Sequence, residues 1–162
     1  DESDILKRML KRTEVVDVNG IHICTLNRED FFIQLCSHLY KEATTLPWIE
    51  MHRDMTLYKY CDIYMLLSEM DNRAISAVFE RAKKIGAEKI CGYVIKQTSE
   101  LFDFYYPEAV KIAETVLNDD PDYINRVVSP KDKKILFYTI KNTKDRFFMA
   151  DRVSALKEVI PV

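Results

Sequence analysis

Four groups of polar residues have the types and spacing to do chemistry in this 162-residue sequence. His38 stands in a run with Phe31, Leu35 and Leu39, and Glu42 follows one helical turn later. That spacing lets a carboxylate hold the imidazole, which reads as a structural histidine partnered by an acid. Asp62 interrupts the apolar stretch LYKYCDIYMLL, and Lys59, Asp62 and Glu69 share a narrow stripe on a helical wheel. The residues leave open whether this is an exposed polar stripe or a buried, functional carboxylate. Asp119, Asp120 and Asp122 form a D-D-x-D arrangement, and two-metal phosphoryl transfer needs carboxylates at close spacing. Asn-Asp-Asp-Pro-Asp is also the composition of an ordinary turn or helix cap, and that is the reading preferred here. Arg146 and Arg152 could contact phosphates, because a guanidinium bonds such groups through two parallel donors, although a solvated basic face is the reading preferred here. The candidate substrate-binding residues are therefore His38, Asp62, Lys59, Arg146 and Arg152; no residue is assigned as catalytic or as a metal ligand.

Other chemistries are poorly supported. The three glycines are isolated, so no glycine-rich phosphate loop can form, and neither H-E-x-x-H nor G-x-S-x-G occurs. Cys24, Cys36, Cys61 and Cys91 contain no C-x-x-C pair. Three of them sit in helical apolar patterns, so free, buried, reduced thiols are expected, as in an intracellular protein.

The elements that must position these residues are mostly helical. Ile5, Leu6, Met9 and Leu10 predict a short amphipathic helix. The runs 14–18 and 21–25 flank Asn19-Gly20, the pair that best tolerates positive φ at both centres of a type I′ turn, and predict a β-hairpin. Asn27 precedes a helix with Glu29 and Asp30 in its first turn, ending near Ala43. The stretch from Thr44 through Asp54, with the single Trp48, reads as a connecting loop. Residues 56–70 are apolar nearly all round, which predicts a central helix. Asp71-Asn72 caps the next helix, which Gly86 ends. Further helices are expected from about Ala87 to Phe104 and from Pro107 through Leu117. A strand is expected at 135–140 and a short terminal helix at 153–159. The fold class is mainly α: a bundle of about five helices with an N-terminal hairpin and a small α/β C-terminal appendage, divided as 1–118 and 119–162.

Hydrophobic residues at 48% and charged residues at 31% exclude disordered and collagen-like chains, and a formal net charge of −2 draws the whole molecule to neither nucleic acid nor acidic lipid. No run reaches the length that spans a bilayer, and no signal-peptide pattern opens the chain, so a cytoplasmic location without membrane partners is expected. Charge is uneven, however. Positions 126–157 hold nine basic and three acidic residues, and Arg126, Lys133, Lys134, Arg146 and Arg152 are expected on one positive surface.

The order of amphipathic helix, hairpin TEVVDVNGIHICTL, helix start NREDFFIQLCSHLYKEA and LYKYCDIYMLL resembles the C-terminal half of the uncharacterised nucleotidyltransferase family, in the polymerase-beta-like superfamily. The likeness covers roughly Leu6 to Phe102. Members carry a histidine in the first long helix and an aspartate followed by isoleucine in a later one, matched here by His38, Asp62 and Ile63. The resemblance implies transfer of a nucleotide from a nucleoside triphosphate to an acceptor. It also implies a glycine turn with a D-x-D pair and a third carboxylate on a later strand, together holding two divalent ions. Those elements precede the matched region in the family and do not occur in this sequence; Asp120 and Asp122 lie after the helices. The chain begins at Asp1 instead of Met, so a cut just after the catalytic half is expected. Mg2+ and nucleoside triphosphate are then expected only with that N-terminal nucleotidyltransferase half, acting in cis, and the chain alone is expected to be inactive. The acceptor is unknown, and no clear nucleic-acid binding is indicated. The rival expectation is a helical protein-interaction module with no nucleotide chemistry. Because both interrupt apolar helices that must pack together, and a mutual or water-bridged hydrogen bond would offset their desolvation, His38 and Asp62 are expected to face one interior space.

Overall fold

The computed structural model describes residues 2–103 and 106–158. Helix α1 (Glu2–Leu10) leads into the hairpin of β1 (Thr13–Val18) and β2 (Ile21–Leu26), paired so that Val18 faces Ile21. Asn19 and Gly20 have φ of 54° and 83°, the left-handed pair that a type I′ turn demands. Asn27 caps α2 (Arg28–Ala43), its side chain accepting the Asp30 N–H at 3.0 Å. Asp71 does the same for α5 (Asn72–Lys84), accepting the Ala74 N–H at 2.8 Å. These ends follow the sequence signals.

Two expectations about the middle of the chain need correction. The stretch read as a loop contains α3 (Leu46–Glu50): Pro47 lies in its first turn, where a missing N–H costs nothing, so it starts a helix instead of preventing one. The central helix is not α4 (Leu57–Ser68), whose Leu57, Tyr58 and Met65 are exposed while Tyr60, Ile63 and Leu67 are buried. It is α6 (Glu88–Phe102), which packs against α2, α4, α5, α7 (Pro107–Leu117) and α8 (Thr143–Phe148). α6 buries Cys91, Tyr93, Val94, Ile95, Gln97 and Thr98, and Gln97 is satisfied there because the Tyr60 hydroxyl donates to its Oε1 at 2.7 Å. Gly92 lets α7 approach closely, since a Cβ there would lie 2.8 Å from Val116 Cγ2. Of the thiols, Cys36 and Cys91 are buried, Cys61 is half-buried, and Cys24 is exposed on the hairpin; all four are free.

After the 3₁₀ turn Pro121–Asn125, the chain builds an antiparallel sheet in the order β3 (Arg126–Ser129), β4 (Lys134–Tyr138), β5 (Leu156–Glu158). The expected terminal helix is instead a 3₁₀ turn, Val153–Ala155, followed by β5, because Tyr138 to Leu136 of β4 offer it a ladder. Phe104 and Val159, to which two helices were expected to extend, lie outside the described residues. A second apolar cluster of Ile49, Val127, Tyr138 and Ala155 seats this sheet on α3, and the Val128 N–H donates to the Thr44 carbonyl at 2.7 Å. No helix among the described residues is long and apolar enough to cross a membrane.

Candidate functional site

Helices α2 and α4 run side by side, and their facing polar residues meet at the surface. His38 and Leu35 from α2, with Tyr58, Lys59 and Asp62 from α4, line a cleft of about 250 Å³. Helical spacing places each set on one side of its helix: Leu35 and His38 are three residues apart, as are Lys59 and Asp62. Glu42 forms the buried end of this group. Its side chain is 7% exposed and ion-paired to Lys59 Nζ, which is itself largely covered. His38 Nε2 lies 3.8 Å from the other Glu42 oxygen, too far for a hydrogen bond but within electrostatic reach. A buried carboxylate thus fixes a lysine at the cleft wall and leaves an imidazole and a second carboxylate open to an incoming molecule.

Three sequence-selected residues, His38, Lys59 and Asp62, therefore come together, but at the surface. The expected interior meeting of His38 and Asp62 does not occur: the His38 side chain is 60% exposed and Asp62 is exposed. The reason is the rotation of α4, which turns Tyr60, Ile63 and Leu67 inward and so turns Asp62 out. Sequence reasoning missed Tyr58 and the Lys59–Glu42 pair; Tyr58 carried no polar pattern of its own, and the pair crosses two helices.

The two arginines lie elsewhere, and the expected positive surface is not formed by them. Arg146 is 1% exposed. It donates to the Ile124 carbonyl at 3.2 Å and stacks over the Tyr138 ring at 4.9 Å. Arg152 grips the fully buried Asp54 through two bonds of 2.7 and 2.8 Å, and that hydrogen bonding raises its pKa. Arg126 is paired with Asp120, and Lys134 with Glu158.

The described residues offer no donor set that fits the two divalent ions implied by the sequence resemblance. Among the described residues, no three His, Cys, Asp or Glu side chains converge. Asp119 is bonded to Lys89, which holds its carboxyl below the usual range, and Asp120 is bonded to Arg126. In the α2–α4 cleft Glu42 is taken up by the Lys59 ammonium, so its carboxylate is not free to hold an ion.

Comparison with known proteins bears on the same half of the molecule. No curated protein and no solved structure matches the chain. The model of a family described as uncharacterised nucleotidyltransferase matches residues 2–103, the segment from α1 through α6 that contains the whole α2–α4 cleft. The chain belongs to the uncharacterised nucleotidyltransferase family.

Proposed function

We propose that residues 1–118 form the substrate-side helical half of a nucleotidyltransferase, with residues 119–162 as a C-terminal appendage and the metal-holding carboxylates contributed by an N-terminal half in cis. One observation carries the reading: His38 and Asp62, two of the positions that match the family's pattern, line one cleft with Lys59 inside the family match. In this cleft Lys59, anchored by Glu42, supplies an N–H donor held in place for an acceptor oxygen. His38 and Asp62 accept or donate hydrogen bonds to the acceptor, and the missing half brings Mg2+ and the nucleoside triphosphate. The cytoplasm, where nucleoside triphosphates are made, is the compartment in which this works.

The test is label transfer from α-phosphate-labelled nucleoside triphosphates, with Mg2+ and a cell extract as acceptor source, by the full native gene product. Labelling that falls at least tenfold in His38→Ala and Asp62→Asn, with melting temperature unchanged, is the expected result. Labelling that ignores both substitutions would overturn the assignment of the cleft. The 162-residue chain alone is expected to transfer nothing.

The hairpin favours a second reading. Val15, Val18 and Ile21 are 69%, 46% and 66% exposed, and a two-stranded ribbon without a covered face is marginally stable in water. A non-catalytic protein-interaction module would use such a ribbon to pair with a partner; absence of labelling by the full gene product, together with a stable complex lost on Ile21→Lys, would select it.

A further inference from the structure

A second cavity, of about 230 Å³, opens between α1, the start of α2 and the last turn of α5. Its polar lining is mostly basic: Arg8, Arg12, Arg81 and Lys84 line it with one carboxylate, Asp30, and Glu29 beside it pairs with Arg81 at 3.4 Å. Asp30 is 1% exposed and already engaged. Arg12 donates to both its oxygens at 2.7 and 3.0 Å through Nε and Nη2. Arg81 Nη1 lies 3.5 Å from Asp30 and donates to Asn27 Oδ1 at 2.9 Å. The carboxylate therefore works as a buried anchor that sets two guanidiniums at the cavity, using only some of their donors. Arg8 and Lys84 have no ion pair among the described residues, and both are exposed.

The bland account of cations at the end of α5 is the helix dipole, which favours Arg81, Lys83 and Lys84 in the last turn. It does not account for Arg8 and Arg12, which arrive from α1 and the turn after it. Nor does it account for the apolar floor, where Met9, Ile33 and Ile85 close the space beneath the charges. We propose that this cavity binds a small phosphomonoester, its phosphate held by Arg8 and Lys84 with the remaining donors of Arg12 and Arg81, and its organic body against Met9, Ile33 and Ile85. A phosphate dianion matches two unpaired cations, and its terminal oxygens accept from several directions at once; a carboxylate offers one charge and one plane. The site is independent of the nucleotidyl-transfer reading, because Asp30 and Ile33 lie on a different side of α2 from Leu35 and His38.

The experiment titrates phenyl phosphate, inorganic phosphate and benzoate onto the 162-residue chain, following the methyl resonances of Ile33 and Ile85 and the heat of binding. Phenyl phosphate is expected to bind tighter than either simpler anion, to shift both methyls, and to weaken as salt rises. The double substitution Arg8→Gln with Lys84→Gln, at exposed side chains that leave the fold intact, should lower its affinity about tenfold or more. Lys133→Gln with Lys157→Gln, outside the cavity, should leave the affinity unchanged. Equal affinity in the Arg8/Lys84 variant, methyl shifts confined to other residues, or benzoate binding as tightly as phenyl phosphate would each overturn the proposal.

Discussion

The C-terminal segment and the N-terminal cavity use basic residues in opposite ways. Positions 126–157 carry nine cations against three acids, the densest positive stretch of the chain. Yet Arg146 and Arg152 are buried inside the second apolar cluster's surroundings, and Arg126 and Lys134 are neutralised by Asp120 and Glu158. Around the N-terminal cavity the sequence is unremarkable in charge, but four cations from two separate regions converge on two carboxylates, Asp30 and Glu29. Density along the chain thus says little about where an anion can bind. What matters is whether folding brings the charges together with fewer counter-charges than they need, and whether it leaves them wet.

The contrast is sharpest at Arg152 and Asp54, where a large effect is expected. This pair joins residues 98 positions apart, both largely or wholly buried. Removing one partner leaves the other as an uncompensated charge in the interior, so Arg152→Ala should cost roughly 3–5 kcal/mol by urea unfolding. Replacing both by apolar residues, Arg152→Met with Asp54→Leu, should cost clearly less, because no orphaned charge remains. Arg8→Gln at the cavity should change stability by less than about 0.5 kcal/mol. If Arg152→Ala were as mild as Arg8→Gln, the distinction between cations that hold the fold and cations left for a ligand would collapse.

The same distinction explains what the sequence could and could not disclose. Local signals were readable: Asn19-Gly20 located the hairpin turn, Asn27 and Asp71 located two helix starts, and Pro107 located a third. His38 with Glu42, and Lys59 with Asp62, were visible as pairs because each lies within one turn of one helix. The pairing of Lys59 with Glu42 and of Arg152 with Asp54 was hidden, since neither follows from spacing along one element. The exchange of α4 for α6 at the centre has a related cause. Apolar content predicts burial only when the apolar residues share the side that meets a neighbour, and Leu57, Tyr58 and Met65 do not. Short β3 and β5 carry little pattern of their own and exist through their pairing with β4.

An intermediate effect is expected from alkali, and it probes the helical body instead of the charged sheet. Burial pushes the phenols of Tyr60 and Tyr93 well above their ordinary value. An acid whose pKa is raised on folding contributes stability that is complete below the unfolded pKa, about 10 for tyrosine, and is lost as pH climbs toward the folded value. Each fully buried tyrosine should therefore remove about 1.4 kcal/mol of stability per pH unit above 10. Denaturant midpoints measured between pH 8 and 11.5 should be flat and then fall, with phenolate absorbance of these residues rising only as the helices melt. Tyr60→Phe should soften the fall, although it leaves Gln97 Oε1 without its donor. Phenolate formation at Tyr60 and Tyr93 in a still-folded chain would show that the body is wetter than its packing.

The smallest expected effect is at His38. A histidine serving the fold would lose on the order of 1–3 kcal/mol on truncation, through the partner left unsatisfied. The geometry argues against that cost here. The imidazole is 60% exposed and 3.8 Å from Glu42, beyond hydrogen-bond reach, and Glu42 keeps Lys59 as its partner. His38→Ala should accordingly shift stability by less than about 0.5 kcal/mol, the range of surface changes that touch no network. Thermal melts of the two proteins under one buffer decide it. A loss of 2 kcal/mol or more, of the order that truncating a buried partner produces, would mean that the imidazole is a member of the Glu42–Lys59 group. The cleft would then be a structural joint between α2 and α4, and the proposed acceptor site would have to move elsewhere. A silent substitution leaves His38 as an exposed side chain on the cleft wall, free to meet the proposed acceptor.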